Sequence, residues 1–217
     1  MSKQEVLRRI AELGLVPVVR AQSTDEAMRA IDAICEGGVN VLEITMTVPG
    51  AISVMEAVVA RFGTDVIVGA GTVLDAETAR ACILAGAQFI VSPALDLGTL
   101  AICRRYAVAV MPGALTPTEV VTAWTAGADA VKVFPCGALG GASYIKSLKA
   151  PLPQIDLVPT GGVSLTTAAD FIKAGAFALG VGADLVDVHA IRAGNAALVT
   201  ERAREFLRIV QEARSGG

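Results

Sequence analysis

The chain has 217 residues, of which 53% are hydrophobic and only 4% aromatic, and its formal net charge is -3. A mildly acidic chain without a run of basic residues lacks the positive patch that binds nucleic acid or an anionic membrane surface, so we expect neither as a partner. The longest stretch without charged residues, 81–95, is too short to span a bilayer. The N-terminus carries charged residues where a signal peptide has an apolar run, so the sequence predicts a cytoplasmic protein.

After a short leading helix predicted over residues 3–13, the chain alternates apolar runs, typical of β-strands, with amphipathic segments, typical of helices. A spacing of about 20 to 26 residues per unit is typical of a compact α/β fold, the (β/α)8 or TIM barrel, and we expect residues 1–217 to form one such domain. A doubly wound open sheet is the alternative, but no GxGxxG or P-loop fingerprint is present. The eight predicted strands are centred near Val18, Leu42, Ile67, Ile90, Val110, Lys132, Val158 and Leu179.

Glycines mark four corners of the chain, before the second, fourth, sixth and eighth predicted strands, at 36–39, 85–88, 126–129 and 174–177. Glycine just past a helix allows a left-handed turn into the next strand, so this spacing indicates a repeated unit of two βα modules. Capping-box spacing at Ser23–Glu26 and Thr116–Glu119 predicts two helix starts.

Metal and disulfide chemistry is not indicated by the sequence. The four cysteines show no CxxC pairing and are expected to be reduced thiols, although Cys136 directly follows the Lys132 strand. The single histidine, His189, excludes a site with several imidazole ligands and is expected in a surface loop.

Two ionisable residues lie inside predicted strands. Alternation places Glu43 on the face opposite Leu42 and Ile44, and if those two face the helices, Glu43 faces the barrel interior. The same reasoning directs Lys132 inward. The two could form a structural ion pair, but such pairs contribute uncertain stability and apolar residues fill a barrel more simply. A dry cavity disfavours the charged form of an amine, and a neutral amine is a nucleophile that needs a proton carrier such as Glu43.

Glycine sets follow the seventh and eighth predicted strands, at 159–164 and 180–183. They present backbone N–H groups near expected helix starts, where barrels of this kind hold phosphate groups. An amine nucleophile, a carboxylate and an anion cradle together indicate a sugar-phosphate or keto-acid enzyme that works through a Schiff base.

The segments at 42–49, 68–73, 91–93, 111–113, 131–135 and 158–163 closely resemble the 2-keto-3-deoxy-6-phosphogluconate (KDPG) and 4-hydroxy-2-oxoglutarate (KHG) aldolase family. The resemblance runs in order over about residues 15–186. It implies a class I aldolase without a metal or other cofactor, usually a homotrimer, acting on a keto-acid or phosphosugar-acid substrate. By motif it implies Lys132 as the Schiff-base lysine and Glu43 as the general acid/base. The implied substrate-binding positions are Thr72, Pro93 and Phe134 around pyruvate, and Thr160, Gly161, Gly162 and Gly182 near the phosphate.

Two departures from the family pattern leave the substrate open. Thr47 stands where many members have arginine, and Ala183 where a serine is common; Arg20 could supply the missing cation, whereas Asp184 would repel an anion if it pointed inward. Phosphogalactonate and unphosphorylated keto acids therefore stay open as substrates. Two other functions also stay open. One is a barrel isomerase or decarboxylase that uses Lys132 only electrostatically, and the other is a trimeric scaffold with a vestigial site.

Overall fold

A ring of parallel strands forms the centre of the computed structural model, which describes residues 1–216. Each predicted strand centre lies within an observed strand, and the leading helix has the predicted bounds. The strands are β1 (Leu15–Val19), β2 (Val41–Thr45), β3 (Ile67–Gly71), β4 (Phe89–Val91), β5 (Ala109–Met111), β6 (Gly113–Ala114), β7 (Val131–Val133), β8 (Leu157–Pro159) and β9 (Leu179–Val181). The α-helices are α1 (Lys3–Leu13), α2 (Thr24–Glu36), α3 (Ala51–Phe62), α4 (Ala76–Leu84), α5 (Leu97–Arg105), α6 (Pro117–Thr125), α7 (Ala142–Lys149), α8 (Ala168–Lys173), α9 (Val188–Arg192) and α10 (Ala196–Ser215).

The predicted (β/α)8 barrel is confirmed, with its fifth strand divided in two. Strands pair in the orders β5-β4-β3-β2-β1-β9 and β6-β7-β8. Between β5 and β6 lies Pro112, which has no N–H to donate to a ladder, while its carbonyl accepts from the N–H of Lys132 over 2.9 Å. A parallel bridge between Thr160 and Gly180 joins β8 to β9. Counting β5 and β6 as one strand, eight strands close the ring.

All four predicted glycine corners are left-handed turns. A glycine at each corner takes a φ that residues with a Cβ rarely adopt, and the chain then enters the next strand. The glycines and their φ angles are Gly38 (+90°), Gly86 (+98°), Gly127 (+98°) and Gly175 (+93°).

Two apolar clusters flank the strands. The larger cluster lies between strands and helices and contains Leu42 and Ile44. The smaller cluster lies inside the ring, where Val6 and Ile10 of α1 pack against Val41 and other inward side chains. Helix α1 therefore closes the N-terminal end of the barrel, and the inward side of β2 is the side that carries Glu43, as alternation predicts.

Two local predictions were wrong in part. The capping box at Thr116 is complete, but at α2 only Ser23 caps the helix, because the Glu26 carboxylate accepts instead from the N–H of Gln22. His189 is exposed, as expected, but lies in α9 rather than in a loop. Among the described residues, no helix is both long and apolar enough to cross a lipid bilayer.

Candidate active site

Glu43 and Lys132 meet inside the barrel from opposite sides of the ring. Strand β2 is the second and β7 the sixth of the eight barrel strands, so inward side chains from these strands point at each other. Lys132 Nζ lies 4.0 Å from Glu43 Oε1, and each side chain is only 3% exposed. Glu43 Oε1 has no hydrogen-bond partner among the described residues. A buried amine and a buried carboxylate oxygen without a hydrogen-bond partner thus lie side by side in the barrel interior.

Gly71 on β3 makes room for the Glu43 carboxylate. Gly71 pairs in register with Thr45 of β2, and a Cβ on Gly71 would lie 1.8 Å from Glu43 Oε1 and 2.4 Å from its Cδ. No side chain larger than glycine fits there unless Glu43 moves. The sequence motifs include Gly71 only within the family segment 68–73 and give it no role, although a glycine within a strand often marks a close approach of another group.

A cavity of about 240 Å³ opens at the carboxyl ends of β1, β8 and β9. Phe134 connects this cavity to the buried pair, because its ring lines the cavity and has its centroid 5.4 Å from Lys132 Nζ. The cavity brings together seven of the predicted substrate-binding residues: Arg20, Phe134, Thr160, Gly161, Gly162, Gly182 and Ala183.

Backbone N–H groups are available in the cavity wall. Gly161 and Gly162 have φ angles of +84° and +79°, which suit glycine. Within residues 1–216, no hydrogen bond uses the N–H of Gly162, Val163 or Ala183. These groups belong to the loops that lead to α8 and α9, and each helix begins about five residues later.

The cavity is lined by side chains of both charge signs. Arg20 lines the cavity, and its side chain makes no hydrogen bond or ion pair with any other described residue. Asp184 also lines the cavity and is exposed. An anion would be attracted by Arg20 and the loop N–H groups and repelled by Asp184.

The other three predicted substrate-binding residues lie outside this cavity. Thr47 and Thr72 line a neighbouring cavity of about 300 Å³ at the ends of β2 and β3. Pro93 follows β4, and its carbonyl occupies the space where a Cβ on Gly113 would lie, at 2.2 Å. All three lie at the same carboxyl end of the barrel as the cavity lined by Arg20, Gly161 and Gly162, the anion cavity, because each follows a parallel strand.

Cys136 does not belong to the site. Its thiol is buried in the outer cluster, donates to the Gly141 carbonyl over 3.7 Å, and has its pKa raised by burial to about 11. A thiol in such surroundings is a weak nucleophile at neutral pH. Among the described residues, no three His, Cys, Asp or Glu side chains are grouped as a metal site.

Comparison with known proteins identifies the family. The sequence pattern described as KDPG and KHG aldolase matches residues 6–202, which is most of the chain. This chain belongs to the KDPG and KHG aldolase family. The membership predicted from the motifs is thereby confirmed, and the chain is an enzyme of the aldolase class.

Relatives and structures in the KDPG and KHG aldolase family match over nearly full length. The 2-dehydro-3-deoxy-6-phosphogalactonate aldolase of Escherichia coli K12 is 36% identical, with 93% of this chain and 97% of that protein covered. A 2-dehydro-3-deoxy-phosphogluconate aldolase of Treponema pallidum is 32% identical, with 94% and 97% covered. The crystal structure of a KDPG aldolase from Legionella pneumophila, with pyruvate captured as a covalent carbinolamine intermediate, has a TM-score of 0.84 at 27% identity over 91% of this chain and 96% of that one.

Proposed function

We propose that this protein is a class I aldolase that cleaves 2-keto-3-deoxy-6-phosphogluconate to pyruvate and glyceraldehyde 3-phosphate, and that it also accepts 4-hydroxy-2-oxoglutarate. One observation carries the proposal: Lys132 Nζ and Glu43 Oε1 lie 4.0 Å apart, both buried, beneath a cavity that can hold an anion. The pair places a nucleophilic amine beside a group that can carry its protons.

In the proposed reaction, neutral Lys132 attacks the C2 ketone, and Glu43 transfers protons as the carbinolamine loses water. The resulting iminium withdraws electrons from the adjacent carbon. Glu43 then takes the proton of the C4 hydroxyl, the C3–C4 bond breaks, and its electron pair forms the enamine while the aldehyde leaves. Protonation of the enamine at C3 and hydrolysis by water release pyruvate and restore Lys132.

The substrate's two ends have different surroundings in this proposal. Phe134, next to Lys132, packs against the pyruvate end, and Thr72 and Pro93 contribute from neighbouring strand ends. The phosphate lies in the anion cavity, where Arg20 supplies charge and the loop at Gly161–Gly162 supplies N–H donors. Thr160, Gly182 and Ala183 complete that wall of the cavity.

A second candidate substrate is 2-keto-3-deoxy-6-phosphogalactonate, which differs from the gluconate compound in stereochemistry. One observation favours keeping it: the relative with 36% identity bears that name. An assay of pyruvate release with both phosphorylated acids and their unphosphorylated counterparts ranks the substrates. The substrate with the highest kcat/KM is the one to which the cavity is adapted.

The Schiff base is tested by borohydride reduction in the presence of pyruvate, followed by mass spectrometry of peptides. We expect one labelled lysine, Lys132, and no label or cleavage activity in Lys132→Ala. The matched control is Lys146→Ala, which removes an exposed lysine from α7 and should keep both label and activity. A label on another lysine, or full activity in Lys132→Ala, contradicts the assignment. A working enzyme without any trapped adduct favours an isomerase or decarboxylase that uses Lys132 electrostatically.

The proposed reaction needs no metal or other cofactor, because the iminium itself stabilises the electron pair of the broken bond. We therefore expect activity to be unchanged after dialysis against EDTA. Loss of activity there, with recovery on adding a divalent cation, contradicts this part of the proposal.

We also propose a homotrimer that uses the outer face of α4, α5 and α6. Within residues 1–216, eight large apolar side chains are exposed, and six of them lie on these helices, at their ends, or in the loop before α4. A cluster of this kind on one side of a monomer is typical of a surface buried between subunits. The six are Leu74, Leu84, Leu97, Tyr106, Val121 and Trp124.

A further inference from the structure

Arg20 lies in a short segment, residues 19–22, whose two ends are held by hydrogen bonds. Thr45 Oγ1 donates to the carbonyl of Val19 over 3.0 Å. Glu26 Oε2 accepts from the N–H of Gln22 over 2.6 Å. The backbone on either side of Arg20 is thus fixed, and Arg20 itself lines the anion cavity.

Glu26 also connects this segment to α9. Its Oε1 accepts from Nε of Arg192 over 2.6 Å, and Arg192 lies on α9, the helix that follows the loop carrying Gly182 and Ala183. Glu26 itself is only 2% exposed. Burial acts to raise its pKa, but the Gln22 N–H and Arg192 outweigh that effect and lower it, so the carboxylate is charged at neutral pH.

Helix capping alone does not account for this arrangement. Glu119, at the same position of α6, accepts from the N–H groups of Leu115 and Thr116 and forms no ion pair within the described residues. Glu26 differs in two ways. It forms a salt bridge with Arg192, 166 residues away in the sequence, and it is buried while charged. Burial of the charged Glu26 carboxylate, whose partner Arg192 is 37% exposed, costs desolvation free energy that an exposed cap such as Glu119 does not require.

We propose that Glu26 is a positioning residue for substrate phosphate binding: by fixing segment 19–22 against α9, it directs the Arg20 guanidinium into the anion cavity. This inference rests on the proposed function, in which Arg20 binds the substrate's phosphate. Glu26 touches no substrate, so its removal affects binding of phosphorylated substrates and leaves the chemistry at Lys132 intact.

The test compares Glu26→Ala with Glu119→Ala, a matched control that removes a carboxylate from the same helix position away from the cavity. In Glu26→Ala we expect KM for the phosphorylated keto acid to rise about tenfold with kcat nearly unchanged, the pattern of lost uniform binding. KM for the unphosphorylated acid should not change. The control should alter neither constant. Because Glu26→Ala could fail to fold, Arg192→Gln, which breaks only the ion pair, provides a second variant with the same expected direction.

A double-mutant cycle shows whether Glu26 acts through Arg20 or through a general disturbance of the structure. Arg20→Gln should raise KM by a similar factor, and adding Glu26→Ala to it should raise KM little further, because both changes remove one interaction. Additive effects, or an unchanged KM for the phosphorylated acid in a folded Glu26→Ala or Arg192→Gln variant, overturn the proposal. Failure of wild-type protein to trap pyruvate on Lys132 would instead refute the proposed function, so the two failures are distinguishable.

Discussion

Glu43 keeps a buried carboxylate oxygen, Oε1, that accepts no hydrogen bond from the described residues and lies 4.0 Å from the Lys132 amine. An unsatisfied polar group in a protein interior costs about 1–3 kcal/mol, more when charged. A barrel interior made only of aliphatic side chains would avoid that cost. This unfavourable position fits the proposed role of Glu43, in which its carboxylate carries protons beside Lys132.

Gly71→Ala tests whether the position of Glu43 determines the rate. The new Cβ would lie 1.8 Å from Glu43 Oε1, so the carboxylate must move. A displacement of about 1 Å can reduce kcat about 100-fold, and we expect a loss of that order in steady-state assays of pyruvate release.

Gly98→Ala is the control for that substitution, because Gly98 lies in α5 and the nearest atom to its added Cβ, Asp96 Oδ1, is 3.2 Å away. This variant should keep the wild-type kcat. If Gly71→Ala is folded and equally active, the position of Glu43 does not control the rate.

Among the structural elements, α1 does not contribute to the site but closes the barrel beneath it. Val6 and Ile10 fill the N-terminal end of the ring, and Lys3 Nζ pairs with Asp129 Oδ1 over 2.7 Å. Asp129 lies just before β7, the strand that carries Lys132, and its Oδ2 also accepts from the Val110 N–H over 2.9 Å. The helix thus seals the interior and is tied to the base of β7.

Ile10→Ala should lower the free energy of unfolding by about 2–5 kcal/mol, because it leaves a cavity where a fully buried side chain seals the ring. Urea denaturation measures the change. Arg8→Ala, which removes an exposed side chain paired with Glu5 and Glu12 on the same helix, should leave the midpoint almost unchanged. Equal effects of the two variants would show that α1 does not seal the barrel.

Helix N-termini make stability sensitive to acid. Backbone N–H groups donate to Asp75, Glu119 and Asp187 and lower the pKa of each carboxyl below its usual value. A carboxyl whose pKa is lower in the folded state contributes stability that is present above the unfolded pKa and is lost as pH falls through the folded one. We expect the urea concentration at the unfolding midpoint to stay constant from pH 7 down to about pH 4.5, and to decrease at lower pH.

Asp75→Asn and Glu119→Gln check the cause of that pH dependence, because an amide cannot titrate. Both variants should be less stable than wild type at pH 7 and approach it at low pH. An identical pH profile in wild type and variants would assign the acid sensitivity to other groups.

At the scale of the whole molecule, the proposed trimer predicts that one charge on the α4–α6 face disrupts assembly. Trp124 is 45% exposed in the single chain, and Trp124→Glu would place a carboxylate in an apolar interface. Sedimentation velocity should show a trimer for wild type and a smaller species for this variant.

Leu139→Glu, which adds the same charge at a residue 43% exposed but in the loop after β7, should sediment as wild type. A wild-type monomer, or an intact Trp124→Glu trimer, contradicts the proposed interface.

Local patterns in the sequence determined the strands, the leading helix and the inward direction of Glu43 and Lys132. Each depends on short-range physics: strand alternation has a period of two, and glycine alone takes the turns with φ near +90° at low cost. The family motifs likewise lie in short segments that need no coordinates to be read.

Only the tertiary structure decided which of these residues meet. Closure of the ring places β2 opposite β7 and so sets the 4.0 Å separation of Glu43 and Lys132. It also shows that Gly71 makes room for Glu43 and that Glu26 reaches Arg192 across 166 residues. The sequence read Glu26 as a simple cap because capping is a local pattern, whereas partners distant in sequence are brought together only by the packing of the whole chain.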